Sequence, residues 1–323
     1  MGERSVARPV RAAIRGWVSR TFPADPSHRA AYDAPAGDVG WFGPASVTWR
    51  IHADFPAMLA GGLCALHLQA LHPRALAGVW DHSDFRRDLL GRLRRTTAFV
   101  AGTTYASTAS AQALADRVRR IHQRVRGVDA EGRAYAADEP ALLRWVHVTE
   151  MASFLAGYRR YGPMPVDRGI ADAYYAETAR IAEALGASDL PTSEAAVEAY
   201  LDDVRAELRV DERSMAVLDA LEHVALPVPL GGLARDLFLG AGTALLPHWA
   251  QAMLLRTPSA RGRAAAGALA LERLAPTIRE AIDDGIAVRA MRRCGLPPQG
   301  LHSWPEVAPI ADAATAVHRD RPR

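Results

Sequence analysis

The 323-residue chain contains no lysine and no asparagine, and all 39 of its basic residues are arginine. Without lysine there is no Schiff base, no pyridoxal phosphate anchor and no phosphate loop of the GK[ST] type. Without asparagine there is no N-glycosylation acceptor and no Cys-His-Asn triad. Cysteine is almost missing: Cys64 and Cys294 stand far apart with no CxxC, so neither a disulfide framework nor a structural zinc site is supported. HExxH and Glu-x-x-His are also absent, which removes the signatures of zinc peptidases and carboxylate-bridged di-iron bundles. The exclusive use of arginine reads as the habit of a GC-rich bacterial genome. Against it stand 36 acids, and the formal net charge of +3 is too small to imply nucleic acid as a partner.

Long apolar runs are lacking too. The stretches 55–71 and 237–255 are too short, or carry His67, Gln69, His248 and Gln251, and read as core helices. The N-terminal MGERSVARPVRAAIRGWVSRTF is basic but has no uninterrupted apolar segment, so the chain is expected to be cytoplasmic. That segment reads as a solvated arm, the alternative being a basic helix lying on anionic lipid as a peripheral membrane contact.

What is present is helical periodicity almost throughout. It predicts an all-α fold, a single large multi-helix domain over 38–310, preceded by an arm and loop (1–37) and followed by a tail (311–323). Residues 24–45, rich in Pro, Gly and Asp, are expected to be loop. Helices are expected at 46–52, 55–71, 73–81, 86–102, 108–126, 139–161, 167–185, 193–208, 211–222, 231–256, 262–286 and 287–294. Thr108 and Ser110 serve as caps, and Asp138 with Pro140 as a helix start. GVDAEGRAYAAD between them reads as an exposed hairpin-like loop, and LRTPSARGR at 255–263 as a turn.

Histidine and arginine crowd the region from His67 to Phe154. In GRLRRTTAFV, Arg92, Arg95, Thr96 and Phe99 share one helical face, suited to an anionic group beside an apolar cavity, although an arginine-studded surface helix has the same spacing. In RVRRIHQRVRG, His122 falls on the stripe of Leu114, Val118, Ile121 and Val125, while Arg119, Arg120, Gln123 and Arg126 point away. Such a histidine either satisfies itself in the core or ligates a metal. His147 shares a face with Glu150, Met151 and Phe154, open both to a supporting hydrogen-bond role and to ordinary core satisfaction. His72 before Pro73, and His82 with Ser83 and Asp84, read as capping and turn chemistry.

The blocks GPASVTWRIHAD, LHPRALAGVWDHSDFRRD, GRLRRTTAFV, RVRRIHQRVRG and YAADEPALLRWVHVT together resemble the MpaB-type oxygenase family, typified by the mycophenolic-acid pathway oxygenase. The latex-clearing proteins (rubber oxygenases) are its distant relatives, and the resemblance spans roughly residues 38–250. It implies an all-α fold holding a non-covalent haem b, used with O2 to cleave or oxidise C=C bonds in a small hydrophobic, isoprenoid-like substrate. The proximal-histidine context H-x-x-x-R of the relatives is matched by His122 and Arg126, which implies His122 as the iron ligand. Their R-x-x-K-T is matched by Arg92, Arg95 and Thr96 with one substitution. Arginine stays protonated and does not ligate iron as that lysine can, so the distal side is expected to hold water, His147 or an open position. Arg92, Arg126 and Phe99 are the expected haem contacts, and Arg92, Arg95, Thr96 and His147 the expected catalytic set. The proton-handling glutamate of the rubber-cleaving relatives has no counterpart, since no glutamate lies between Glu3 and Glu131. The rival reading is a non-catalytic helical protein that binds haem or a hydrophobic ligand.

Overall fold

The apolar run after Asp54 forms the helix around which the others are arranged. In the computed structural model, which describes residues 8–23, 26–282 and 284–306 (26–29 by backbone alone), the helices in chain order begin with α1 (Arg8–Thr21), α2 (Pro26–Asp33), α3 (Val47–Ala53) and α4 (Phe55–Gln69). Next come α5 (Pro73–His82), α6 (Leu89–Tyr105) and α7 (Thr108–His122), then a short antiparallel hairpin of β1 (Arg126–Val128) and β2 (Ala134–Ala136). The chain continues with α8 (Pro140–Tyr161), α9 (Arg168–Leu185), α10 (Glu194–Asp203), α11 (Glu212–His223), α12 (Gly231–Thr243), α13 (His248–Leu254), α14 (Pro258–Ala281) and α15 (Ile286–Arg293). The fold is all-α, as expected, with 70% of the described residues helical. The tail expected at 311–323 and the first seven residues lie outside the described residues.

α4 is apolar on all sides because it packs against α8 on one side and α12 on another, and α12 in turn packs on α14. The close approach depends on missing side chains. A Cβ on Gly157 would stand 2.5 Å from the Ala57 carbonyl oxygen, and one on Gly61 2.7 Å from that of Ser153. Gly242 does the same against Ala60, at 2.8 Å. Asp54 ends α3 and caps α4, accepting from the Ala57 N–H at 3.0 Å, and the two helices meet at 90°. This bent pair is apolar and long enough to count as a broken membrane span by composition, but its residues are core; no single described helix is long and apolar enough to cross a membrane.

Several elements depart from the sequence expectation. The segment expected to be a solvated arm is packed from Arg8 onward: α1 lies on α14, and Trp17 stacks on Phe238 with ring centroids 5.8 Å apart. The loop expected over 24–45 contains α2, which packs on α15. The helix expected at 231–256 is broken into α12 and α13 at Pro247, which has no N–H for the ladder. α14 begins inside the expected turn, because Thr257 caps it and Pro258 occupies its first position. α7 stops at His122 rather than 126, and the next residues turn into β1. The cap of α7 is Ser107, and Glu139 rather than Asp138 precedes α8, which frees the Asp138 carboxylate.

Candidate functional site

α6 and α7 form an antiparallel hairpin about the turn at Ala106 and Ser107. They touch closely near the turn, where Gly102 faces Leu114 and Phe99 packs with Trp41, Ala111, Ala115 and Ile181. Arg92 and His122 stand almost equally far along the chain from the turn, each toward the end of its own helix away from it. Helical spacing places Arg95 and Thr96 one turn further in on the Arg92 face.

His122 is half-buried and its Nδ1 is buried without a hydrogen-bond partner. Burial pulls its pKa below the ordinary imidazole value, against a smaller opposing pull from Asp138, so the ring is neutral at pH 7. Arg92 makes no hydrogen bond or ion pair, and burial with the neighbouring Arg95 lowers its pKa. A desolvated cation with no counter-charge and an imidazole nitrogen with no partner are both costly arrangements unless something else meets them.

The remaining expected residues divide. Arg95 is largely exposed and reaches back to the α6 cap residue Asp88 at 3.6 Å, and Thr96 is exposed. Phe99 is spoken for by the cluster just described. Arg126 sits on β1, exposed, with its guanidinium 3.0 Å from Asp138. Because α7 ends first, His122 and Arg126 are not a helical i, i+4 pair; the arginine instead fixes the carboxylate that pulls on His122. Ile121 of the expected buried stripe is 50% exposed. His82 Nε2 donates to the Arg126 carbonyl at 3.1 Å, tying the end of α5 to the chain just after His122.

His147 and Glu150 lie one turn apart on α8 and form no hydrogen bond or ion pair. Both keep some accessible surface, yet burial pushes His147 down to about 4 and Glu150 up to about 7. Glu150 lies close enough to raise Tyr174 on α9. Sequence reasoning missed Asp138 and also a buried chain centred on His52. Thr104 Oγ1 donates to the Val100 carbonyl at 2.7 Å and so accepts from His52 Nδ1 at 2.9 Å, which leaves His52 Nε2 to accept from the Tyr174 hydroxyl at 2.8 Å. With both nitrogens engaged, His52 has no position for a metal. His72 caps α5 through Nδ1 and faces Glu207 with Nε2, which agrees with its reading as a cap.

Two pockets open elsewhere, one apolar and lined by α1, α4, α6, α11 and α12, the other polar around Trp80–Arg87; neither is lined by His122, Arg92 or His147. Among the described residues no group of three or more His, Cys, Asp or Glu is placed to hold a metal ion.

The family described as "ER-bound oxygenase mpaB/B'/Rubber oxygenase, catalytic domain" matches residues 49–280. The chain belongs to this family. It is therefore an oxygenase, an oxidoreductase, and the match encloses the α6–α7 hairpin and α8. No curated protein and no solved structure matches the chain.

His122 and Arg92 are of the donor types that a haem b takes, although neither lines either of the two pockets described. A porphyrin iron needs as little as one protein ligand, and the neutral, unpartnered His122 can give it. The propionates of a haem are anions, and the uncompensated Arg92 suits them.

Proposed function

We propose that this member of the family is a haem b-dependent oxygenase that acts with O2 on a small hydrophobic, isoprenoid-like substrate, by oxidative cleavage or oxidation of a C=C bond. The observation that supports the reading is His122 on α7, a neutral histidine with an unsatisfied buried nitrogen, together with the half-buried Arg92 of α6, which has no counter-ion among the described residues.

In this reading His122 holds the iron, and Asp138, itself fixed by Arg126, biases the imidazole through its charge. Arg92 and Arg95 hold the anionic edge of the cofactor, and Thr96 offers a hydroxyl one turn away. The bound haem supplies the activation of dioxygen that no side chain of this protein can supply. The carboxyl proposed for proton handling is Glu150 of α8, which stands near Tyr174. Its pKa of about 7 lets one carboxyl hold or release a proton at neutral pH, with the neutral His147 ring beside it.

The test is an absorption spectrum of protein expressed with ample haem, followed by O2 uptake with a prenylated substrate. A Soret band with substrate-dependent uptake is expected. A colourless protein contradicts the cofactor assignment, and a coloured one that takes up no O2 returns the protein to the non-catalytic binding class.

A further inference from the structure

Gly61 and Gly62 stand next to each other on α4, and packing explains only one of them. A Cβ on Gly61 would strike the Ser153 carbonyl, whereas one on Gly62 would meet a single atom within 4 Å, Phe154 Cε1 at an ordinary 3.6 Å. A glycine inside a helix lowers stability relative to alanine, and no described residue needs the space that this one leaves. Gly62 belongs to the one stripe of α4 that is not fully buried, formed by Phe55, Met58, Leu59, Gly62, Leu66 and Gln69 along one side of the helix. α1 covers the start of that stripe, where Phe55 meets Trp17 edge-on with ring centroids 6.2 Å apart.

The flank of α8 beside Gly62 is incomplete in another way. The approaches of Gly157 to Ala57 and of Gly61 to Ser153 fix α4 and α8 as antiparallel, and this register brings Glu150 to the level between Gly62 and Leu66. Glu150 and His147 lie on the same side of α8 as Phe154, the ring that touches the Gly62 position. Neither has a hydrogen bond or an ion pair, and burial shifts both, yet each keeps accessible surface. A polar side chain that is deep, unpartnered and still reachable lines a cleft, where a bound molecule can meet it. The α6–α7 hairpin does not close this flank: α6 packs chiefly on α3, α7 and α15, and α7 on α6 and α9.

We propose that the hydrocarbon chain of the substrate lies along this shared flank of α4 and α8, and that Gly62 sets the width of chain that fits. The identity of the ligand as a substrate rests on the oxygenase reading. The chain runs over the bare backbone at Gly62 between Met58 and Leu66, and Glu150 and His147 face it from α8. A helix without a side chain at this point admits a methyl-branched chain such as an isoprenoid, which is broader than a linear one.

The test is calorimetric titration of the full chain, as isolated, with trans,trans-farnesol in the wild type, Gly62→Ala and Gly62→Leu, with the Soret absorbance per chain and the urea midpoint measured alongside. Affinity is expected to fall about threefold in Gly62→Ala and about thirtyfold or more in Gly62→Leu. Soret absorbance stays at the wild-type level in both, and the urea midpoint of Gly62→Ala rises, since alanine is the better helix former and has room. Equal farnesol affinity in the three proteins, or no binding by the wild type, overturns the proposal. So does a lower midpoint in Gly62→Ala, which means that the glycine serves packing as Gly61 does. Loss of Soret absorbance in step with farnesol affinity also overturns it, because the groove then belongs to the cofactor. A wild type that lacks a Soret band but binds farnesol with this size dependence defeats the cofactor assignment and supports the groove, so the two failures are distinguishable.

Discussion

Where α4 crosses α8, Gly61 and Gly157 bring backbone against backbone, and the neighbouring side chains Trp145, Met151, Leu155 and Tyr158 are almost fully buried. Where α6 runs beside α7 toward His122, the picture is reversed: Arg92 has no counter-ion, a ring nitrogen has no partner, and Ile121 stands half in solvent. The seam too leaves Trp145 Nε1 and Ser153 Oγ without hydrogen-bond partners, but its packing is closed, whereas the second region adds an uncompensated cation and an open edge. The proposed function is placed at the second region because a cation without a counter-ion and an imidazole nitrogen without a partner are groups that a cofactor can meet.

The comparison can be broken most forcefully at the tight seam. Gly157→Ala drives a methyl into the Ala57 carbonyl, and neither helix can withdraw without losing the packing of the other, so a loss of about 3 kcal/mol or more is expected in urea unfolding. Close behind is Arg279→Met. Arg279 is ion-paired to Asp54, which is 3% exposed, and the stranded carboxylate is expected to cost about 3 kcal/mol at neutral pH. The loss shrinks as the pH falls and Asp54 takes up a proton, since burial already raises its pKa.

The effects of Glu150 and His147 on α8 and of Arg92 on α6 are smaller and differ in kind. The folded pKa of Glu150 lies above its ordinary value, so its contribution to stability is fully present below about pH 4.5 and is lost as pH rises through about 7. Glu150→Gln is expected to remove that slope and to stabilise the protein by about 2 kcal/mol at pH 8, after allowance for the partial exposure of the carboxyl. His147 has the opposite sign: its depressed pKa makes stability fall as pH drops from about 6.5 toward 4, a slope that Glu150→Gln leaves in place. Smallest of all is Arg92→Met, expected to change stability by less than about 0.5 kcal/mol because the stem packing remains and no ion pair is lost. A large loss there, measured by thermal unfolding, would show that the arginine serves the fold.

The all-helical architecture was legible because its signals are local. Asp167, Ser193 and Asp211 stand immediately before helices that begin within a residue of where periodicity placed them. Composition misled where punctuation cuts both ways. Pro26 and Pro258 were read as loop and turn residues but sit at the first positions of α2 and α14, whereas Pro247 breaks a helix that apolar periodicity carried through. At the candidate site, the shared face of Arg92 and Thr96 and that of His147 and Glu150 follow from helical spacing alone. The partnership of Asp138 with Arg126 did not, since it required knowing that α7 ends at His122 and that Asp138 is not a cap. The Thr104–His52–Tyr174 chain joins residues far apart in sequence, and no local pattern encodes such a meeting.

The central claim is that His122 is incomplete without a metal. It is tested most directly by expressing the wild type and His122→Ala side by side with ample haem and measuring the Soret absorbance per chain together with the urea midpoint of each cofactor-free form. The account predicts a haem-loaded wild type, a variant that retains little or none, and cofactor-free midpoints that nearly coincide, because the buried nitrogen bonds to nothing in the protein. Equal haem content in the two proteins, with or without a change in stability, would contradict it.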